Sequence, residues 1–180
     1  MLEFGLNLNA MARSTMVSVM HDFFWNIQAM WRKQTNFNRT ALLFFLGGST
    51  RFGYASKDSD IDFFVYPDSP PSEDELYHLL FVNGFRKVEG MDLDHDGYGG
   101  LTYYNKKFNI HVIVSPTLQE WEELRNKHEK IDKFVTDNPK IVEFIKGFKC
   151  LVNNNLDGNS MKGKGRYIFR ALLELADSNS

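Results

Sequence analysis

Cysteine is nearly absent from this sequence, because Cys150 is the single one among 180 residues. One cysteine can build neither a disulfide framework nor a cysteine-based zinc site within the chain, so no disulfide partner is expected. We expect Cys150 at a buried helix position in a protein of a reducing compartment. This predicts a cytoplasmic location.

Long hydrophobic runs are also missing. The longest apolar run, residues 41–46, has six residues, whereas a helix that crosses a bilayer needs about 20. Glu3 comes early, and no basic stretch precedes an apolar run, which argues against a signal peptide. The sequence therefore predicts a soluble protein with no membrane partner.

Neither sign of charge is in large excess, since 21 Lys and Arg face 23 Asp and Glu, for a net charge of −2. Such a chain has no global basic field for tight nonspecific binding to nucleic acid, although local basic clusters exist. Apolar residues are plentiful, at 43% of the chain with 16 Phe. A chain of this length can bury a core without the help of disulfide bonds or bound metal, so we expect a single domain over residues 1–180.

Hydrophobic periodicity predicts strands and helices first and mostly helices later. Apolar residues at 4-3-4-3 spacing predict a helix over residues 14–33, and the run at residues 41–46, apolar on both faces, is typical of a buried central strand. Capping boxes, Ser72 with Glu75 and Thr117 with Glu120, predict two helix starts. The other predicted elements are a strand over 61–66, a helix over 72–83 with Gly84 as its cap, a short strand over 85–89, a hairpin of strands 101–104 and 108–114, a helix over 117–136, a helix from Pro139 with Ile141, Phe144 or Ile145, Phe148 and Val152 on its apolar face, and a helix over 166–176. The core is thus expected over about residues 14–116 and a helical part over about 117–180.

Residues 47–57 combine features suited to phosphate binding. Gly47 and Gly48 follow an apolar strand and lack a Cβ, so their backbone N–H groups can approach phosphate oxygens closely. Ser49 offers a hydroxyl, and a short helix over residues 50–55 would add a favourable field for anions at its N-terminus. The predicted phosphate-binding set is Gly47, Gly48, Ser49, Thr50, Arg51 and Lys57.

Two acids lie at the start of the next predicted strand. Asp60 and Asp62 are two residues apart, so their side chains point to the same face, while Ile61 and Phe63 point into the core. Two carboxylates so placed repel each other unless a cation lies between them. Mg²⁺, or Mn²⁺ in its place, is the natural cation for carboxylates that also meet substrate phosphates. The pattern therefore predicts Asp60 and Asp62 as metal ligands.

This combination resembles the signature of the DNA polymerase β-like nucleotidyltransferase superfamily. That signature is an apolar strand, Gly-Gly or Gly-Ser, about ten residues, and then Asp-x-Asp flanked by hydrophobic residues. Here residues 50–59 separate Ser49 from Asp60, and residues 59–63 read Ser-Asp-Ile-Asp-Phe, similar to small minimal nucleotidyltransferases and their antitoxin and aminoglycoside-modifying relatives. The resemblance implies an α/β (α+β) nucleotidyltransferase fold, a mixed β-sheet flanked by helices with a helical C-terminal extension.

The resemblance also implies a reaction and its cofactors. A metal-dependent nucleotidyltransferase transfers a nucleoside monophosphate from a nucleoside triphosphate, here expected to be ATP, to a hydroxyl acceptor. Asp60 and Asp62 would hold the divalent metal, while Ser49 and the Gly47–Gly48 backbone would hold the β- and γ-phosphates. The acceptor could be RNA, a protein or a small molecule.

One position departs from the superfamily pattern. Its catalytic members usually carry a third Asp or Glu on a later strand, but the corresponding strand here offers only Asn109 and His111 on the site-facing side. His111 could be a general base or a metal ligand, although imidazole suits Mn²⁺ or Zn²⁺ better than Mg²⁺, or it could be an ordinary half-buried strand residue. Two functions stay open: an enzyme with Asp60, Asp62 and His111 as catalytic residues, and a catalytically inactive nucleotide- or protein-binding module of the antitoxin or inhibitor type.

The sequence contains two further motifs that indicate function less strongly. Residues 92–97 resemble the first half of an EF-hand loop, but Tyr103 occupies the twelfth position, where a bidentate Glu is needed, so a solvated acidic turn is favoured. The basic patch at residues 162–166 could touch a triphosphate or RNA, although a solvated loop is the favoured interpretation.

Overall fold

The computed structural model describes residues 13–35, 42–56, 59–68, 70–88, 101–155 and 165–179. The acidic loop at residues 92–97, Lys57 and residues 162–164 of the basic patch lie outside the described residues. The elements in chain order are α1 Arg13–Thr35, β1 Leu42–Gly47, α2 Gly48–Arg51, β2 Ile61–Pro67, α3 Pro70–Val82, β3 Arg86–Lys87, β4 Leu101–Asn105, β5 Ile110–Val114, α4 Leu118–Asp137, α5 Pro139–Asn155 and α6 Gly165–Ser178. None of the described helices is long and apolar enough to cross a membrane.

The five described strands form one mixed sheet in the order β1-β2-β5-β4-β3. Strands β2 and β5 pair in parallel, and the other neighbours pair antiparallel. This confirms the predicted fold class, but the predicted central place of β1 is wrong, because β1 lies at one end of the strand order. Its continuous apolar run reflects burial on both faces rather than a lateral position in the sheet.

Alternation along the strands divides the sheet into two packed faces. On one face, Ile61, Phe63 and Val65 of β2 pack with helices α1 and α3. On the other face, Phe64 packs against Trp121 on α4. Helices α4, α5 and α6 share a further core that Phe52 and Tyr54, just after α2, also enter. The helical part therefore lies on the face of the sheet that carries the even-numbered residues of β2.

Local capping chemistry fits two of the predicted helix ends. Thr117 accepts a hydrogen bond from the backbone N–H of Glu120 at 3.2 Å, so the predicted start of α4 is confirmed. Gly84, the second residue after α3, has φ +83°, as its predicted role as a cap requires. The predicted start of α3 at Ser72 is wrong, because the helix begins at Pro70, whose fixed φ suits a first helical turn.

Helix α5 packs through only part of the predicted face. Ile145 is buried against α4 and α6, but Phe144 is 73% exposed and Phe148 is about half exposed. Cys150 is exposed as well, so its predicted burial is wrong. The described part of α5 packs through a narrow face that includes Ile141, Val142 and Ile145. The side of the helix that carries Phe144 and Phe148 is therefore exposed to solvent.

Candidate active site

A single row of residues crosses four strands of the sheet. Gly47 on β1 pairs with Asp62 on β2, Asp62 pairs with His111 on β5, and His111 pairs with Tyr104 on β4. Because residues paired in register point to the same face of a sheet, Asp62, His111 and Tyr104 project together. That face is the α4 side, opposite the core face of Ile61 and Phe63.

Asp60 joins Asp62 and His111, the two middle residues of this row, in one cluster. The imidazole Nδ1 of His111 lies 3.2 Å from Oδ1 of Asp62 and 3.4 Å from Oδ2 of Asp60. The side chains of Asp62 and His111 are only 12% and 15% exposed, whereas that of Asp60 is 46% exposed. The Tyr104 ring lies against the imidazole with 4.6 Å between ring centroids. The cluster is thus open on the Asp60 side and packed on the other.

The electrostatics of the cluster favour positive charge between the two acids. Burial lowers the pKa of the His111 imidazole, but hydrogen bonds to Asp60 and Asp62 and their negative charges outweigh burial and raise that pKa to about 9. Burial, and then the charge of Asp62, also raises the pKa of the Tyr54 hydroxyl above its usual range. The two carboxylates therefore attract either a proton or a cation.

The spacing of these ligand atoms fits a divalent metal ion. Two ligands at right angles on an ion with bonds of about 2.1 Å lie about 3 Å apart, close to the 3.2 and 3.4 Å found here. The three ligand atoms all lie within 4.8 Å of one another, and no other such group of three or more His, Cys, Asp and Glu residues occurs within the described ranges. Carboxylate oxygens with one imidazole nitrogen form a ligand set that divalent ions accept.

Gly47 and Gly48, which we call the glycine corner, lie directly against Asp62. Gly48 has φ +63°, and a Cβ at this position would lie 2.3 Å from Oδ2 of Asp62. A Cβ on Gly47 would lie 2.3 Å from the ring of Phe64 and 2.9 Å from Nε2 of His128. Both positions therefore need glycine, because the backbone must pass close to the carboxylate, to the Phe64 ring on β2 and to His128 on α4.

The residues after the glycines link the corner to its neighbours. Helix α2 is one turn over Gly48–Arg51, so the predicted helix over residues 50–55 is wrong. The backbone N–H of Tyr54 donates to the carbonyl of Ser49, and Thr50 Oγ1 donates to the carbonyl of Asp60 at 3.2 Å. Thr50 thus ties the glycine corner to the start of β2, which fixes the two predicted parts of the site relative to each other.

Arg51 makes interactions that the sequence did not predict. Its Nη2 and Nε atoms lie 2.5 Å from Oδ2 of Asp132 on α4, and Nη1 donates to the carbonyl of Leu46 at 3.2 Å. The guanidinium therefore joins the end of β1 to α4. Its predicted contact with phosphate stays a prediction, since that contact would compete with Asp132.

Asn109 lies in a turn rather than on the predicted strand face. Strand β5 begins at Ile110, and Asn109 has φ +54°. Its carbonyl accepts from the N–H of Ile61 at 2.9 Å, and its Oδ1 accepts from the Tyr104 hydroxyl at 3.0 Å. The turn is longer than predicted because the Asn105 side chain accepts from two backbone N–H groups within it. Of the two predicted residues, only His111 thus lies on strand β5 itself, in register with Asp62.

Sequence reasoning missed Lys149, on α5. Its ammonium donates to the Ser59 hydroxyl at 3.2 Å and to the carbonyl of Tyr54 at 3.4 Å, and it lies 5.4 Å from the centre of the Tyr54 ring. Lys149 therefore places a positive charge on the segment that leads into Asp60. No local motif marks it, because the contact joins residues 90 positions apart.

The nucleotidyltransferase domain family matches residues 32–150, which are 119 of the 180 residues and include every candidate site residue. The chain belongs to this family. The family membership confirms the resemblance drawn from the glycine corner and the paired acids. No curated protein sequence gives a significant match.

One solved structure shows the same fold, and two others are matched less well. The conserved protein GrpB from Enterococcus faecalis has a TM-score of 0.57 at 17% identity, over 87% of this chain and 91% of that one. The polymerase core of the RNA surveillance complex TRAMP has a TM-score of 0.46 at 14% identity, over 81% of this chain and 44% of that one. Cid1 in complex with its short product ApU has a TM-score of 0.35 at 14% identity, over 68% of this chain and 36% of that one. The chain thus covers nearly the whole of the GrpB structure and less than half of the two others.

Proposed function

We propose that this chain is a metal-dependent nucleotidyltransferase that transfers a nucleoside monophosphate from a nucleoside triphosphate, ATP being the first candidate, to a hydroxyl acceptor. The observation that carries the proposal is the convergence of Asp60, Asp62 and His111 beside Gly48. The acceptor is a hydroxyl on RNA, on a protein or on a small molecule.

The proposed reaction is an in-line displacement at the α-phosphorus. The acceptor oxygen forms a bond to this phosphorus while the bond to the oxygen that bridges to the β-phosphate breaks. Pyrophosphate leaves with the electron pair of that bond. The hydroxyl proton passes to the Asp60 carboxylate, whose 46% exposure lets it return the proton to solvent.

Asp60, Asp62 and His111 would hold the Mg²⁺ or Mn²⁺ ion of this proposal. When bound, the ion would neutralise charge on the phosphates and on the departing pyrophosphate. Asp62 is buried and held by register between β1 and β5, so it would supply the most rigidly positioned ligand. His111, beside it, would take the place that a third carboxylate occupies in the resembled superfamily.

The glycine corner would hold the triphosphate. The backbone N–H groups at Gly47 and Gly48 and the Ser49 hydroxyl would donate to the β- and γ-phosphates. Lys149 stands on the segment before Asp60 and adds a positive charge there. Thr50, Arg51 and Lys57 complete the predicted set, with Thr50 donating to the backbone carbonyl of Asp60 and Arg51 paired with Asp132.

The test is incorporation of α-labelled nucleoside triphosphates into a pool of RNAs, proteins and small hydroxyl compounds, with Mg²⁺ or Mn²⁺. We expect labelled product with the native chain and none with Asp60→Asn/Asp62→Asn. Asp74→Asn, an exposed carboxylate on α3, is the matched control and should retain full activity. Labelling that persists in the double variant would refute the proposed site.

One observation favours a second function, a catalytically inactive nucleotide- or protein-binding module. His111 lies within hydrogen-bonding distance of Asp62 and close to Asp60, so the chain itself can supply positive charge to the paired acids. Such a module would produce no label, and its binding of nucleotide or protein would need no metal and would survive Asp60→Asn/Asp62→Asn. That pair of results would replace the enzyme with the module.

A further inference from the structure

The imidazole of His111 influences which cation the Asp60–Asp62–His111 cluster binds. We infer that the cluster selects a first-row transition-metal dication, for which Mn²⁺ is the probe, over Mg²⁺, and that Nδ1 of His111 is a direct ligand. This inference rests on the proposed function only in placing a metal ion between the two aspartates. Metal selection can be measured without any transfer reaction.

The first argument is the chemistry of the ligand set. Mg²⁺ prefers hard oxygen ligands in near-ideal octahedral geometry, whereas imidazole nitrogen suits transition metals. Two carboxylates with a neutral imidazole also carry one negative charge fewer than three carboxylates. The exchange of an acid for His111 therefore weakens the attraction for Mg²⁺ and adds a nitrogen that a transition metal binds well.

The second argument is that His111 is held in the cluster. Its strand β5 pairs with β2 on one side and β4 on the other, and its ring lies against Tyr104. The side chain is 15% exposed, and Nδ1 is the nitrogen that faces both acids. An ion between Asp60 and Asp62 would therefore meet this nitrogen rather than a water molecule or a further carboxylate.

The third argument is the position of Asp62. Its Oδ1 faces His111 at 3.2 Å, while Gly48 passes close to Oδ2. One oxygen of the buried carboxylate is thus confined by backbone, and the other is directed to the position shared with the imidazole. The two ligand atoms that lie nearest to each other are therefore Oδ1 of Asp62 and Nδ1 of His111, one oxygen and one nitrogen.

The experiment titrates the full chain with Mn²⁺ alone, following loss of the free-ion electron paramagnetic resonance signal, and then displaces Mn²⁺ with Mg²⁺. We expect Mn²⁺ to bind more tightly than Mg²⁺ by about tenfold or more. A change of this order in metal affinity is typical when the residues around a metal site are altered. Bound Mn²⁺ should show a magnetic coupling to nitrogen. His111→Asp should lose that coupling and shift the affinity ratio toward Mg²⁺ by about tenfold.

Two further variants separate ligation from folding. His111→Asn, similar in size and without a ring nitrogen, should also lose the nitrogen coupling. His78→Asp changes an exposed histidine on α3 in the same way, away from the cluster, and should leave the ratio and the coupling unchanged. Circular dichroism of each variant checks that the fold is kept.

The outcomes separate this inference from the proposed function. Nitrogen-coupled Mn²⁺ without any transfer product would uphold the inference and refute the enzyme. Transfer that is equally strong with Mg²⁺, with no nitrogen coupling and an unchanged ratio in His111→Asp, would overturn the inference and keep the enzyme. Absence of any metal binding would overturn both.

Discussion

Nδ1 of His111 lies 3.2 Å from Oδ1 of Asp62, and the two residues are direct partners across the parallel strands β2 and β5. The geometry of the candidate site is therefore set by strand register. A shift of one residue in the pairing would bring Ile110 or Val112 beside Asp62 and turn every β5 side chain to the opposite face. The same register buries Val112 and Ile110 on the core face, so hydrophobic packing enforces the meeting of the acid and the imidazole.

Gly48→Ala should impair metal binding through Asp62. The new methyl group would lie 2.3 Å from the carboxylate oxygen, which must then move, and the backbone at φ +63° would become strained. We expect a loss of about 1–2 kcal/mol in the free energy of unfolding, measured in urea, together with weaker Mn²⁺ binding.

Gly53→Ala is the matched control for that variant. Gly53 has φ +79°, but a Cβ there meets only the Val142 side chain, at an ordinary distance of 3.8 Å. Backbone strain should be similar in the two variants, whereas Mn²⁺ affinity should fall only in Gly48→Ala. Equal Mn²⁺ affinities would show that the glycine corner does not position Asp62.

Arg51 and Asp132 should stabilise the protein as a coupled pair. Their charges are partly buried, and the guanidinium places two nitrogens against one carboxylate oxygen. A double-mutant cycle with Arg51→Ala and Asp132→Ala should give a coupling of about 1.5–3 kcal/mol in urea unfolding. The pair Arg125 and Glu129, exposed on α4, should give only about 0.3–0.5 kcal/mol.

The same variants decide whether Arg51 also binds phosphate. Under that prediction, Arg51→Ala raises the KM for the nucleotide, while Asp132→Ala releases the guanidinium and does not. If both variants change stability equally and neither changes the KM, Arg51 serves the fold alone.

Asn109 should matter for the turn before β5 and not for metal binding. Its φ of +54° is costly for Ala and free for Gly. We expect Asn109→Ala to lower the free energy of unfolding by about 1 kcal/mol more than Asn109→Gly does. Both variants should bind Mn²⁺ like the native chain. A loss of Mn²⁺ binding in Asn109→Gly would restore Asn109 as a candidate for the place of the third carboxylate.

The parts of the site that the sequence predicted are those fixed by local spacing. Asp60 and Asp62 share a side because strands alternate with period two, and the glycines were marked by the end of an apolar run. His111 was placed correctly because alternation along β5 depends only on the apolar residues beside it. Asn109, two residues earlier, was misplaced because the Asn105 side chain extends the turn by hydrogen bonds that the pattern does not show.

The parts that were missed depend on distant contacts. The residues of β1 do not indicate whether it lies at the end or in the middle of the sheet. They indicate only that both of its faces are covered. Lys149 meets Ser59 only after α5 has packed against the sheet-bearing part. Phe148 and Cys150 were misplaced for the same reason, because the amphipathic pattern of α5 does not say how wide a face its neighbours cover.

His21 should make the protein less stable in acid. Burial lowers the pKa of this imidazole, the nearby charge of Asp22 raises it, and burial prevails. The imidazole lies edge-on to Phe44 and Phe63, where a charged ring is poorly solvated. With a folded-state pKa below the unfolded value of about 6.5, the unfolded chain binds the proton more readily, so stability is complete above that value and falls as the pH drops through it. Thermal unfolding at pH 7.5 and 5.5 should show a smaller fall in Tm for His21→Gln than for the native chain. An NMR titration that places the His21 pKa at or above 6.5 would contradict this expectation.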